Sequence, residues 1–298
     1  MGIIFRNYID SQRYGEDYCR IREFLLELND INYSFGRWDW MISHSHLFIE
    51  GLSKVGIWEH KGKIVGIATY DTQLDGKCFF PLKNDYGFLR KEMISYAAEN
   101  LSCDDKVQLL VRDGDTIFQN TAREMGYIPT QKKDCDSVYY INTNKINYSL
   151  PDGFSITSMK DTFDLYQYGQ VLWKGFNHEL NGEGPYVPTA EEMLVYKKEF
   201  DRPNVNLNIK IAVVAPDGNF VSYCGMWQDN ASQSALVEPV ATDPAYRKMG
   251  LGRAAVLEAI RRCGLLGAKQ AYVGSSQQFY YNIGFSPCIT STFWELNK

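Results

Sequence analysis

The sequence has no C-x-x-C pair, and its seven cysteines, at positions 19, 78, 103, 135, 224, 263 and 288, are an odd number. Disulfide frameworks and thiolate zinc sites use paired spacings, so free thiols in a reducing cytoplasm are the expectation. No apolar run approaches the 18 or so residues of a membrane span, and residues 2–8 lack the apolar core of a signal peptide. Clustered cations are missing too. The 31 Lys and Arg are scattered along a chain of net charge −5, whereas phosphate backbones select for cationic stripes, which argues against nucleic acid as the main partner. His44 and His46 would share one side of a strand, but no third ligand accompanies them, so no metal is expected. What is present is core-forming material. Apolar residues make up 45% and aromatics 14%, too much for a disordered or low-complexity chain.

At roughly 150 residues per domain, 298 residues correspond to about two domains. A divergent repeat gives the two a common form. A turn and strand at 62–71 recur at 218–227, and Gly126-Tyr127-Ile128-Pro129 recurs as Gly284-Phe285-Ser286-Pro287, so the offset is close to 157 in both cases. Each of the latter follows a helical stretch and precedes a β-rich run, at 138–141 and 292–294. Turn residues gather at 142–147 and at Pro151-Asp152-Gly153, which sets the joint near residue 148 and the domains at 1–148 and 149–298.

In the second half, 154–157 reads as a strand. Residues 161–176 read as a helix, with Phe163, Leu165, Tyr168, Val171 and Leu172 at roughly helical spacing. Residues 177–190, rich in Gly, Pro and Asn, read as a loop, and 191–200 as a short helix stopped by Pro203. Strands are expected at 209–214, 220–227 and 234–242. A helix from about Gly250 to Leu266, closed by Gly267, and a strand at 270–273 follow. The expected class is α/β of the mixed α+β kind. Each tandem domain has a central mixed sheet flanked by helices, with an antiparallel meander ahead of a β-α-β unit.

Chemistry concentrates between Glu238 and Ala254. A strand ends at Thr242, Asp243-Pro244 make a turn, and a glycine-containing loop opens a helix. The first N–H groups of a helix have no internal partner, and the macrodipole adds positive charge there. Gly250 and Gly252 carry no Cβ to hold a phosphate off the backbone, and Arg247, Lys248 and Arg253 add cationic charge. The loop reads as an anion site that a pyrophosphate fits. A Gly-x-Gly pair taken alone is a weak signal, often only of close helix–strand packing.

Arg247-x-x-Gly250-x-Gly252, after a strand and a proline turn, resembles the acetyl-CoA pyrophosphate loop of the GCN5-related N-acetyltransferase (GNAT) family. The resemblance runs from Glu238 to Phe285. Residues 267–273 are similar to the family's helix-to-strand return, and Tyr280-x-x-x-Gly284-Phe285 to its closing signature. The Asn often seen before the closing helix has no counterpart among residues 273–276.

This resemblance implies two acyl-CoA N-acyltransferase-like domains. It also implies direct transfer, in a ternary complex, from acetyl-CoA as donor co-substrate to a primary amine of a small molecule or peptide. Neither nucleic acid nor membrane is an expected partner, and a homodimer is left open. The pyrophosphate would sit on the N–H groups of Lys248, Met249, Gly250, Leu251, Gly252 and Arg253, beside Arg247. The pantetheine arm would pair with Val240, Ala241 and Thr242, the Val240 N–H polarising the thioester carbonyl. Glu238, two residues before Val240 and so on the same face of the strand, is the expected base, and Tyr280 the expected acid for the departing thiolate. A non-catalytic acyl-CoA sensor and a transferase of longer acyl groups are the alternatives. An offset of 157 maps Glu238 onto Pro81, Arg247 onto Arg90, Gly250 onto Met93 and Gly252 onto Ser95, and the 158 between Gly284 and Gly126 maps Tyr280 onto Ala122. The first domain is therefore expected to be a degenerate copy that keeps the fold.

Overall fold

The computed structural model describes residues 2–9 and 13–297. Met1 and Lys298, the outer limits of the two expected domains, lie outside them. The chain opens with β1 (Ile3–Asn7), α1 (Glu16–Leu28), α2 (Phe35–Ser43), β2 (Gly56–His60), β3 (Lys63–Ala68) and β4 (Lys77–Cys78). It goes on with α3 (Arg90–Asn100), β5 (Gln108–Arg112), α4 (Thr116–Glu124) and β6 (Tyr127–Tyr140). Next come β7 (Ser155–Ser158), α5 (Leu165–Gly175), α6 (Ala190–Phe200), β8 (Lys210–Val214), β9 (Phe220–Gln228) and β10 (Ser234–Thr242). The chain closes with α7 (Leu251–Leu265), β11 (Gln270–Val273), α8 (Gln278–Ile283) and β12 (Ser286–Leu296). Two compact units result: Met1–Ser137 with Gly274–Ser276 and Pro287–Lys298 form unit 1, and Val138–Val273 with Gln277–Ser286 form unit 2.

Unit 1 has an antiparallel sheet in the order β1-β2-β3. Its β4 and β5 are parallel, so α3 is the crossover of a β-α-β unit. The last strand, β12, runs antiparallel to β5, with Ser291 opposite Arg112 and Trp294 opposite Leu109. Phe293 and Trp294 are accordingly buried in the same core as Trp38 and Trp58. His44 caps the C-terminus of α2 and His46 follows in a turn, so the strand expected to carry them is a helix end. Among the described residues no group of three or more His, Cys, Asp or Glu is placed to hold a metal ion.

Unit 2 carries the strands in the order β11-β10-β9-β8-β7. From β7 to β10 neighbours are antiparallel, and α7 then crosses over to the parallel β11. The helix packs with most of its surface inward: Ala254, Ala255, Val256, Leu257, Ala259, Ile260 and Cys263 are all buried. Helix α5 begins at Leu165 rather than 161 because Asp164 takes the N-cap, its carboxylate accepting the Gln167 N–H at 3.0 Å. In α6 a capping box between Thr189 and Glu192 sets the start.

Candidate active site

The strand expected to hold the donor is interrupted. Val237 of β10 lies opposite Met226 and Val240 opposite Cys224, so three steps along β10 match two along β9. That is a β-bulge, and it falls on Glu238-Pro239, where proline has no N–H to give to a ladder. The Glu238–Pro239 peptide is cis. On its other side β10 pairs with β11 only from Ser234 to Leu236, so Val240, Ala241 and Thr242 lie beyond that ladder. An extended chain can add to such an edge. The bulge also corrects one expectation. Alternation of side chains does not cross it, so two residues of spacing do not set Glu238 and Val240 on one face; instead Val237 and Val240 oppose one face of β9.

Past Thr242, Asp243 accepts the Ala245 N–H at 2.9 Å and opens a short turn over Pro244–Tyr246. Lys248 and Gly250 both adopt left-handed backbone, with φ of 65° and 83°. A side chain at Gly250 would meet nothing within 4 Å, so open space lies beside the N-cap of α7. That is the space an anion needs. Gly252 has a different reason for being glycine: a Cβ there would lie 2.9 Å from Thr242 Oγ1 and 3.3 Å from the Phe279 ring. The packing and anion readings of the Gly-x-Gly pair thus divide between its two members. Leu251 is buried and offers only its backbone, whereas Lys248 and Met249 are exposed.

Two of the three cations expected around the anion are held by the protein itself. Arg247 donates from Nε to the Thr242 carbonyl at 3.2 Å, and from Nη2 to the Gly175 carbonyl at 2.8 Å and Asn177 Oδ1 at 2.7 Å. It ties the end of β10 to the end of α5. Arg253 donates to the Asn147 carbonyl at 3.0 Å.

Tyr280, on α8, is buried, with its ring 5.0 Å from that of Phe279 and 5.5 Å from that of Phe285. Burial, with Cys224 and the Glu238 carboxylate nearby, pushes its hydroxyl well above the usual tyrosine range. The half-buried Glu238 also presents its carbonyl to Trp227, whose Nε1–H donates to it at 3.0 Å. The motif assigns no role to Trp227 or to Lys210, which is buried on β8 with its Nζ 3.5 Å from the Trp227 ring centre. The available signal was one lysine set between Ile209 and Ile211 in an apolar run.

A sequence model described as "Acetyltransferase (GNAT) family" matches residues 173–285. A search of curated proteins gives no match. Among solved structures, a GCN5-related N-acetyltransferase from Sphaerobacter thermophilus is 13% identical with a TM-score of 0.58, over 98% of this chain and 95% of that one. A tandem GNAT protein from the clavulanic acid biosynthesis pathway is 11% identical with a TM-score of 0.60, over 99% and 98%. A GNAT-family acetyltransferase from Colwellia psychrerythraea is 12% identical with a TM-score of 0.52, over 82% and 85%. Residues 173–285 match the GNAT acetyltransferase family and mark the protein as an acyltransferase, in a chain whose fold is that of tandem GNAT proteins.

Proposed function

We propose that this acyltransferase moves an acetyl group from acetyl-CoA to a primary amine of a small molecule or peptide, directly, in a ternary complex on unit 2. One observation carries the reading: the β10 bulge and the free stretch beyond it lead straight into the open-faced loop at Gly250. In that arrangement the N–H groups of residues 248–253 hold the pyrophosphate, while Val240, Ala241 and Thr242 pair with the pantetheine arm. Glu238 takes a proton from the ammonium, directly or through water, and the freed amine attacks the thioester carbon. The Val240 N–H stabilises the oxyanion. As the carbon–sulfur bond breaks, Tyr280 gives its proton to the thiolate. Its raised pKa keeps the proton on the hydroxyl throughout the neutral range, so the donor is in place when the sulfur departs.

Unit 1 supports a degenerate reading of the first copy. The N-cap of α3 is the buried Leu89, where α7 has Gly250, and Met93, which the repeat offset sets against Gly250, lies inside the first turn and is fully buried; Arg90 is bound to Asp115 at 2.9 Å and to the Phe80 carbonyl at 3.3 Å.

Thiol release from acetyl-CoA over a panel of primary amines tests the activity and finds the acceptor class. Glu238→Gln and Tyr280→Phe are each expected to lower kcat by about 10²–10⁴-fold; rates unchanged in both overturn the mechanism. Gly250→Asp sets a carboxylate and a strained backbone into the cradle, and is expected to weaken CoA binding more than about tenfold. Binding left intact in calorimetry would remove the anion site.

A further inference from the structure

We infer that Lys210 is a positioning residue for acyl transfer, acting through Trp227 on the backbone of the β10 bulge. The inference rests on the reading of β10 as the donor strand. Lys210 is 3% exposed, an uncommon place for an ammonium, which costs several kcal/mol to bury unless its surroundings compensate. Here the surroundings point one way. Nζ donates to the Met226 carbonyl at 2.9 Å and sits 3.5 Å from the centre of the Trp227 ring, within the range of a desolvated cation–π contact. The same indole donates its N–H to the Glu238 carbonyl at 3.0 Å.

The ladder makes this chain of contacts local. Lys210 lies opposite Gly225 across β8 and β9, so its cross-strand neighbour has no side chain. On the other side the Glu238 carbonyl lies over the same glycine, where a Cβ would approach it to 2.6 Å. Lys210, Trp227 and the bulge thus meet at one level of the sheet. An ammonium fixing the indole fixes the Glu238 carbonyl, and with it the peptide run that leads to the Val240 N–H. Lys210 touches neither the donor nor the acceptor. Its part is to hold the bulge in the one shape that recognises the acetyl carbonyl.

The test needs no acceptor, because CoA and acetyl-CoA differ only at the group the bulge would read. Calorimetry on the full chain compares the two ligands for wild type, Lys210→Met, Trp227→Phe and the double variant. Lys210→Met keeps length and apolar contacts, and Trp227→Phe keeps a ring while deleting the N–H, so each reads the link by a separate route. Expected is a wild-type preference for acetyl-CoA that falls at least fivefold in both single variants, with CoA affinity within twofold of wild type. The double variant should be no worse than the poorer single one, as a shared path requires. Equal wild-type affinity for the two ligands, a preference kept by both variants, or additive losses each overturn the role of Lys210. A wild type that binds neither ligand overturns the donor-strand reading as well.

Discussion

At Gly225 the site depends on an absent atom. A Cβ would lie 2.6 Å from the Glu238 carbonyl oxygen and 3.0 Å from the Pro239 ring, distances at which the backbone itself must move. Gly225→Ala is expected to push that carbonyl off the Trp227 indole, leaving CoA binding intact and cutting kcat by about tenfold, as loss of about 1.4 kcal/mol of transition-state alignment would. Steady-state kinetics beside CoA calorimetry checks it. Glu238, Gly250 and Tyr280 are singled out by the family motif that their type and spacing match. Lys210 and Gly225 were not, since their meaning comes from what lies across the ladder. The same-face argument for Glu238 and Val240 failed for a definite reason: period two is a property of a regular strand, and a bulge removes it.

Helices and strands carry two charge arrangements of opposite sign. In α7 the buried Glu258 accepts from Arg261 Nε at 2.7 Å, Arg262 Nε at 2.8 Å and the Tyr148 hydroxyl at 2.7 Å. Burial pushes this carboxyl up, but the two guanidinium groups and the hydroxyl outweigh it and leave its pKa at about 2. A pKa depressed in the folded state contributes stability above the ordinary carboxylate value of 4.5, lost as pH falls toward 2. Glu258→Gln is expected to cost about 2 kcal/mol near neutral pH and to flatten the acid limb of a melting-temperature profile. In β6, by contrast, burial and the nearby Asp134 raise Asp136 to about 7. Its contribution is complete below 3.8 and lost as pH rises through about 7. Asp136→Asn should therefore stabilise unit 1 above pH 7 and do little near pH 4, as melts at the two pH values would show.

Elements as such were readable where apolar periodicity and capping agreed. The strand at 270–273 and the helix over 250–266 match β11 and α7 nearly residue for residue. The start of α5 moved because Asp164 competes with the helix for backbone N–H groups.

For the molecule as a whole, the repeat divides the chain by continuity whereas the compact units divide it by packing. The two ways of counting part at residues 138–148, which group with unit 2, and at 274–276 and 287–298, which group with unit 1. Nothing local in 292–294 could say which sheet that strand joins; pairing with β5 is a long-range choice. Truncation after Ser286 removes Phe293 and Trp294 from the unit 1 core. Each such loss costs about 3–5 kcal/mol, against about 5–15 kcal/mol for an entire domain. Unit 1 is expected to lose its cooperative melting transition, with near-ultraviolet circular dichroism as the readout.

The placement of β12 also imposes an order in time. Ser137 and Pro287, consecutive in the composition of unit 1 apart from three intervening residues, are 150 positions apart in the chain. At roughly 5–20 residues per second a ribosome needs roughly 8–30 s to cover that distance. Throughout that interval the nascent first unit has an unfilled place beside β5, while the acetyltransferase segment emerges behind it. Unit 1 is completed by a strand made only after the whole intervening segment.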